Sequence, residues 1–98
     1  MTYDKPDAVK LEDVVNCSEE DLVAFRKIVF DAMFSVSRAN RMNYVLELNE
    51  QLDRHLRRGY YCNGNIFLDV NVNGGVRTVD VGPVPREYMD VGQWSFEL

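Results

Sequence analysis

The sequence predicts an α+β fold: two N-terminal helices, as a helical hairpin or one bent helix, then a β-hairpin and a C-terminal strand in a small antiparallel sheet. Three observations predict it. Apolar residues recur at helical spacing from about residue 18 to residue 58. From residue 65 onward they alternate instead, as in a half-buried strand. Asn73-Gly74 stands between two alternating runs, where a two-residue hairpin turn needs residues that accept positive φ.

Residues 1–8 read as a loose arm, and VKLEDVVN (9–16) fits either a short strand or a helical turn. Ser18 precedes Glu19, Glu20 and Asp21, so a hydroxyl cap and three acids meet the positive end of a helix dipole. The spacing predicts a helix over Ser18 to Arg38, with Leu22, Phe25, Val29, Ala32 and Val36 on one face. Ile28, Phe30, Met33 and Phe34 widen the apolar surface beyond the stripe that a surface helix needs. A chain of 98 residues has little material to wrap a helix completely, so these four are expected to meet another copy, in a homodimer or higher oligomer.

SRANRMN (37–43) holds neither glycine nor proline, which leaves the break between helices open. A second helix is expected over Met42 to Arg58, with Val45, Leu48, Leu52 and His55/Leu56 as its seam. Gly59 then stands where a helix ends in a left-handed residue, and Arg54, Arg57 and Arg58 suit the negative end of its dipole. In the second half, Ile66, Leu68, Val70 and Val72 alternate with Phe67, Asp69 and Asn71. A turn on Asn73 and Gly74 sets Val72 opposite Gly75, Leu68 opposite Val79 and Ile66 opposite Val81, with Asp69, Asn71, Thr78 and Asp80 on the other face. Gly82-Pro83-Val84-Pro85 ends that strand, and Trp94, Phe96 and Leu98 alternate in a last one.

Ninety-eight residues make a single domain, spanning 1–98, and the 46% apolar fraction is that of a globular chain. No apolar run approaches the roughly 18 residues that cross a bilayer, and no apolar signal core follows the N-terminal charges. A cytoplasmic protein is expected, in the host cytoplasm if phage-encoded. Cys17 and Cys62 form no metal knuckle or disulfide framework and read as free thiols. The net charge of −5 argues against a general nucleic-acid binder and only faintly suggests a DNA mimic. Residues 32–58 are the local exception, with five positive and three negative side chains.

The stretch DVNVNGGVRTVD (69–80) resembles the opening of an EF-hand loop, and more closely the loops of dockerin modules. That resemblance implies calcium ligation by Asp69, Asn71, Asn73 and Asp80, with a backbone carbonyl near Gly75. An EF-hand loop runs into a helix, however, and Val81-Gly82-Pro83 forbids one here. Arg77 would also place a cation among the ligands. The hairpin is the expected form, and no cofactor is implied.

RHLRRGYY gathers Arg54, His55, Arg57, Arg58, Tyr60 and Tyr61. Guanidinium groups bind carboxylates and phosphates in forked pairs, and tyrosines offer stacking faces. This patch is the candidate ligand or partner site, for an acidic protein or, alternatively, a nucleotide or nucleic acid. His55 with Cys62 would make a nucleophile–base pair only with an orienting group and a pocket. The expected function is a small non-enzymatic interaction protein, of the kind common among phage-encoded accessory proteins: an inhibitor of a host factor, or a minor virion or assembly component.

Overall fold

The computed structural model describes residues 7–15, 18–35, 37–52, 55–88 and 95–97. The elements run β1 (Val9–Lys10), α1 (Leu11–Val14), α2 (Glu19–Phe34), α3 (Arg38–Leu52), β2 (His55–Cys62), β3 (Asn65–Val72), β4 (Gly75–Pro83), a 3-10 turn (Arg86–Tyr88) and β5 (Ser95–Glu97). The α+β order stands, but the sheet has five strands in the order β1-β4-β3-β2-β5 and is mixed, because β1 pairs with β4 in parallel. Arg54, Cys17, Val36, Trp94 and Leu98 lie outside the described residues, as do residues 1–6 of the expected arm.

Ser18 caps α2 as its sequence suggests, its hydroxyl accepting from the Asp21 N–H at 3.3 Å. The break between α2 and α3 is made by serines rather than by glycine or proline. Ser35 is extended, and the Ser37 hydroxyl accepts from the Asn40 N–H to start α3. Arg41 reaches back across the corner and donates to the carbonyls of Ala32 and Ser35, satisfying groups that the end of α2 leaves orphaned. The two long helices pack together as a hairpin.

The second helix ends at Leu52, six residues before the expected boundary at Arg58. His55 to Cys62 form β2 instead, between β3 and β5. Leu56 is buried in either reading, so the seam could not separate them. What decides is pairing: β2 gains a ladder on each side. The joint is fixed by Asn49, whose Oδ1 accepts from the Leu56 N–H at 2.8 Å. Gly59 is therefore no helix cap. It lies in mid-strand opposite Phe96, whose ring takes the space a side chain would fill.

The Asn73-Gly74 hairpin forms, with φ of 38° and 83°, and pairs Val72 with Gly75 and Leu68 with Val79 as expected. The register then slips. Ile66 faces Gly82 rather than Val81, and Val81 is the extra residue of a bulge. Asp80 holds that bulge, its Oδ1 accepting from the Gly82 N–H at 2.9 Å and from Asn65. Arg26 ties α2 to it by donating to the Val81 carbonyl at 2.9 Å, while pairing with Glu12.

The core lies between the helices and one face of the sheet: Phe25, Val29, Met33, Val45 and Leu48 against Leu56, Ile66, Leu68, Val70, Val79, Val81 and Phe96. Phe30, Met33 and Phe34 are buried in it, and Ile28 is half-buried against it. The apolar width of α2 that suggested an interface is thus covered within the chain. The 3-10 turn supplies part of the cover: Tyr88 stacks on Phe34 at 5.3 Å between ring centroids and tilts against Phe30 at 5.8 Å.

The Tyr88 hydroxyl donates to Asp31 Oδ1 at 2.6 Å. Burial first, and this bond second, push its pKa well above the ordinary value. A raised folded pKa means that the stability it carries is complete below the unfolded pKa and is lost as pH rises through the folded one. Stability is therefore expected to hold to about pH 10 and to fall above it. Urea midpoints at about pH 8 and about pH 11 should differ less in Tyr88→Phe than in the parent chain. An equal fall in both would contradict this role.

Candidate functional site

Alternation divides the residues of β2, β3 and β4 between two faces. The helices take one. On the other, the registers set three rows across the strands: His55–Asn71–Val76, Arg58–Asp69–Thr78 and Tyr60–Phe67–Asp80, with Glu97 of β5 opposite Arg58. Among the described residues no helix packs on this face. It brings together His55, Arg57, Arg58 and Tyr60 of the patch expected from sequence. Tyr61 pairs with Ile66 and so falls on the helix-bearing side.

Arg57 and Arg58 are neighbours on one face because β2 carries a bulge. Leu56 pairs with Val70 and Arg58 with Asp69, leaving Arg57 as the extra residue. Two successive side chains then turn to the same side, where a regular strand would separate them. Both line a recess of about 350 Å³ together with Asp69, Val76 and Glu97.

The two guanidinium groups differ in state. Arg58 Nε donates to Asp69 Oδ2 at 2.6 Å, and the Thr78 hydroxyl donates to Asp69 Oδ1 at 2.7 Å. Asp69 is only 7% exposed, so its charge needs these partners. The hydrogen bond to Asp69 is also the largest cause that raises the Arg58 pKa. Arg57 is exposed and makes no ion pair among the described residues. Arg58 is the structural cation of the face, and Arg57 the available one.

Tyr60 and Phe67 complete the centre. Their rings stack at 5.7 Å, the Arg58 guanidinium lies 4.7 Å from the Tyr60 centroid, and Phe67 is 1% exposed. Phe67 stands outside the main core cluster, so it forms a small apolar centre of its own. Burial raises the Tyr60 pKa first and the charge of Asp69 second, while a hydrogen bond with Thr78 opposes them. A tyrosine whose ring is engaged in this way is a poor platform for a stacked base.

His55 and Cys62 stand at opposite ends of β2. Seven residue steps along the strand separate them by roughly 23 Å, so they do not form a nucleophile–base pair. The calcium reading of residues 69–80 also meets its geometry here. Asp69 is bound to Arg58 and Thr78, Asp80 to Asn65 and Gly82, and Asn73 sits at the hairpin tip. The described residues hold no cluster of three or more acidic, histidine or cysteine side chains fit for a metal ion.

Sequence reasoning missed Asp69, Thr78, Phe67, Val76 and Glu97 as parts of this site. Asp69 and Thr78 were legible as cross-strand neighbours from the turn alone. Their link to Arg58 was not, because β2 reads as helix. Comparison with models of protein families, with curated proteins and with solved structures finds no match.

Proposed function

We propose that this chain is a small non-enzymatic interaction module that docks an acidic segment of a protein partner on the open face of its sheet. One observation carries the reading: Arg57, turned out by the β2 bulge, stands unpaired among the described residues at a recess whose other cation is already neutralised. A fixed Arg58–Asp69 pair leaves little cost to reorganise, and an exposed guanidinium suits forked pairing with a carboxylate. The recess is charged and lies on the surface, unlike the mostly apolar clefts that enclose small ligands. A nucleotide or nucleic acid remains the second reading. It is less favoured, because Arg58 and Tyr60 are engaged and the chain carries a net charge of −5.

Within this reading the chain belongs with accessory proteins of the phage-encoded kind, acting in the cytoplasm on a host factor or during assembly. No helix of the described residues is long and apolar enough to cross a membrane. Self-association is also part of the proposal. It would draw on Val23, Met42 and Leu46, which the helices leave exposed, and not on Phe30, Met33 and Phe34.

The test compares three immobilised baits in lysate of the cell that expresses the protein: the parent chain, Arg57→Glu and, as a helix-surface control, Arg38→Glu. A partner held by the parent and Arg38→Glu, and reduced about tenfold or more by Arg57→Glu, is the expected result. Equal recovery by all three baits would remove Arg57 from the interface.

A further inference from the structure

Among the described residues, the edge of β4 beyond β1 is open. β1 covers Val79 and Asp80 only, and among the described residues no strand lies beside Gly75 to Thr78 on that side. The turn closes on Val72 and Gly75, so the ladder alternation directs the backbone groups of Gly75, Arg77 and Val79 towards β3. Those of Val76 and Thr78 point the other way. The parallel register of Val9 with Val79 engages the Thr78 carbonyl. Among the described residues, the N–H and C=O of Val76 and the N–H of Thr78 are left without a strand partner. A recess of about 430 Å³ lies along them, lined by Asp7, Ala8, Val9, Val76, Arg77 and Thr78.

Backbone donors and acceptors in a row, on a strand that ends in a fixed hairpin, select an extended backbone. Val76, 49% exposed, lines this recess and also the Arg57 recess, so the edge continues the proposed docking face. Arg77 stands between the two outward residues and, paired with Val70, on the helix-bearing side of the sheet. It makes no ion pair among the described residues, although Asp7 lines the same recess.

We infer that the partner segment joins the sheet as an added strand on the β4 edge, with an acidic side chain opposite Arg77. This rests on the interaction reading above and gives it a backbone geometry: the middle residue of the added strand meets Arg77 on the helix-bearing side, and its neighbours fall on the open face beside Val76. An antiparallel segment satisfies all three open groups and sets its middle residue against Arg77. A second copy of the chain fits less well. Two-fold pairing centred on Arg77 opposes two guanidinium groups, which destabilises a cross-strand pair. Pairing centred on Val76 brings the hairpin turn into the register and leaves the Thr78 N–H unmet. Among the described residues the terminal strands, β1 and β5, span only two and three residues.

The test uses the full chain with a capped heptapeptide alternating valine and glutamate, and a valine–lysine heptapeptide as control. Binding is read by fluorescence anisotropy and by hydrogen exchange at the Val76 and Thr78 amides. The glutamate peptide is expected to bind about tenfold tighter than the lysine peptide, and to slow exchange at both amides. Val76→Pro, which removes an outward N–H and no bond to β3, should abolish binding. Arg77→Glu, a surface change that leaves the fold alone, should reverse the charge preference.

Equal binding of both peptides, or binding unchanged in Val76→Pro, overturns the inference. So does slow exchange at both amides in the free chain, which would mean that the chain's own residues or a second copy occupy the edge. Light scattering separates those two. Partner binding that is lost in Arg57→Glu but intact in Val76→Pro would overturn the edge and leave the face.

Discussion

Gly59→Val is expected to destabilise the chain by about 1–3 kcal/mol, at the upper end of that range, through overpacking between β2 and β5. A Cβ at residue 59 would lie 2.6 Å from Phe96 Cε1, 3.0 Å from Phe96 Cζ and 3.2 Å from Leu68 Cδ2. No rotamer of valine avoids the first contact, because it is made by the Cβ itself. Phe96 is nearly fully buried, and among the described residues β5 pairs with β2 over three residues. The strand therefore has few other bonds to hold it once its ring is displaced. Urea unfolding of Gly59→Ala, Phe96→Leu and the double variant checks the mechanism. The smaller ring-site residue should relieve the clash, so the double variant should be more stable than the sum of the singles implies. Strict additivity would show that Gly59 is required for another reason.

Phe67→Ala carries the second large effect, about 3–5 kcal/mol for truncating a fully buried phenylalanine. Its consequence differs from that of a core truncation such as Phe25→Ala. Phe67 belongs to the outer face, under Tyr60, next to the row that holds Arg58, Asp69 and Thr78. Losing it removes the stacking partner of Tyr60 and, with it, the surface on which the Arg58 guanidinium rests. Phe67→Leu should restore most of the stability by refilling the volume, yet restore less of the partner binding, because it supplies no ring for Tyr60. Denaturation and binding measured on the same preparations would separate the two. Full recovery of both by leucine would mean that the outer face needs only apolar bulk.

The parts of this fold that a local stretch of sequence determines were legible in it. Ser18 with its acidic neighbours fixes the start of α2, and Asn73-Gly74 fixes the β3–β4 hairpin and its first pairs. What depends on distant partners was not. HLRRGYY carries helix-compatible arginines and a Leu56 at seam spacing, and becomes a strand because β3 and β5 flank it. β1 is two residues long and is defined by a parallel partner about seventy residues away. The bulge at Val81 is held by Asp80 and Asn65, which no period records.

The same division runs through the site. The sequence singled out Arg57, Arg58 and Tyr60 as a patch, by composition alone. It gave them helical neighbours, and so paired none of them with Asp69, Thr78 or Phe67. It also joined Tyr61 to Tyr60, whereas strand alternation sends them to opposite faces. The wide apolar face of α2 misled for a related reason. Part of its cover comes from a short 3-10 turn, whose Tyr88 reaches Asp31 across 57 residues of sequence, and the rest from the sheet and α3.

Under the proposed function, the helix-free face of the sheet, and not the helical layer, receives the partner. Hydrogen–deuterium exchange of the chain with and without the partner recovered by the parent bait tests it most directly. Slowed exchange is expected within residues 55–60 and 69–78, with residues 19–34 and 38–52 unchanged. Protection confined to the helices, around the exposed Val23 and Leu46, would contradict it.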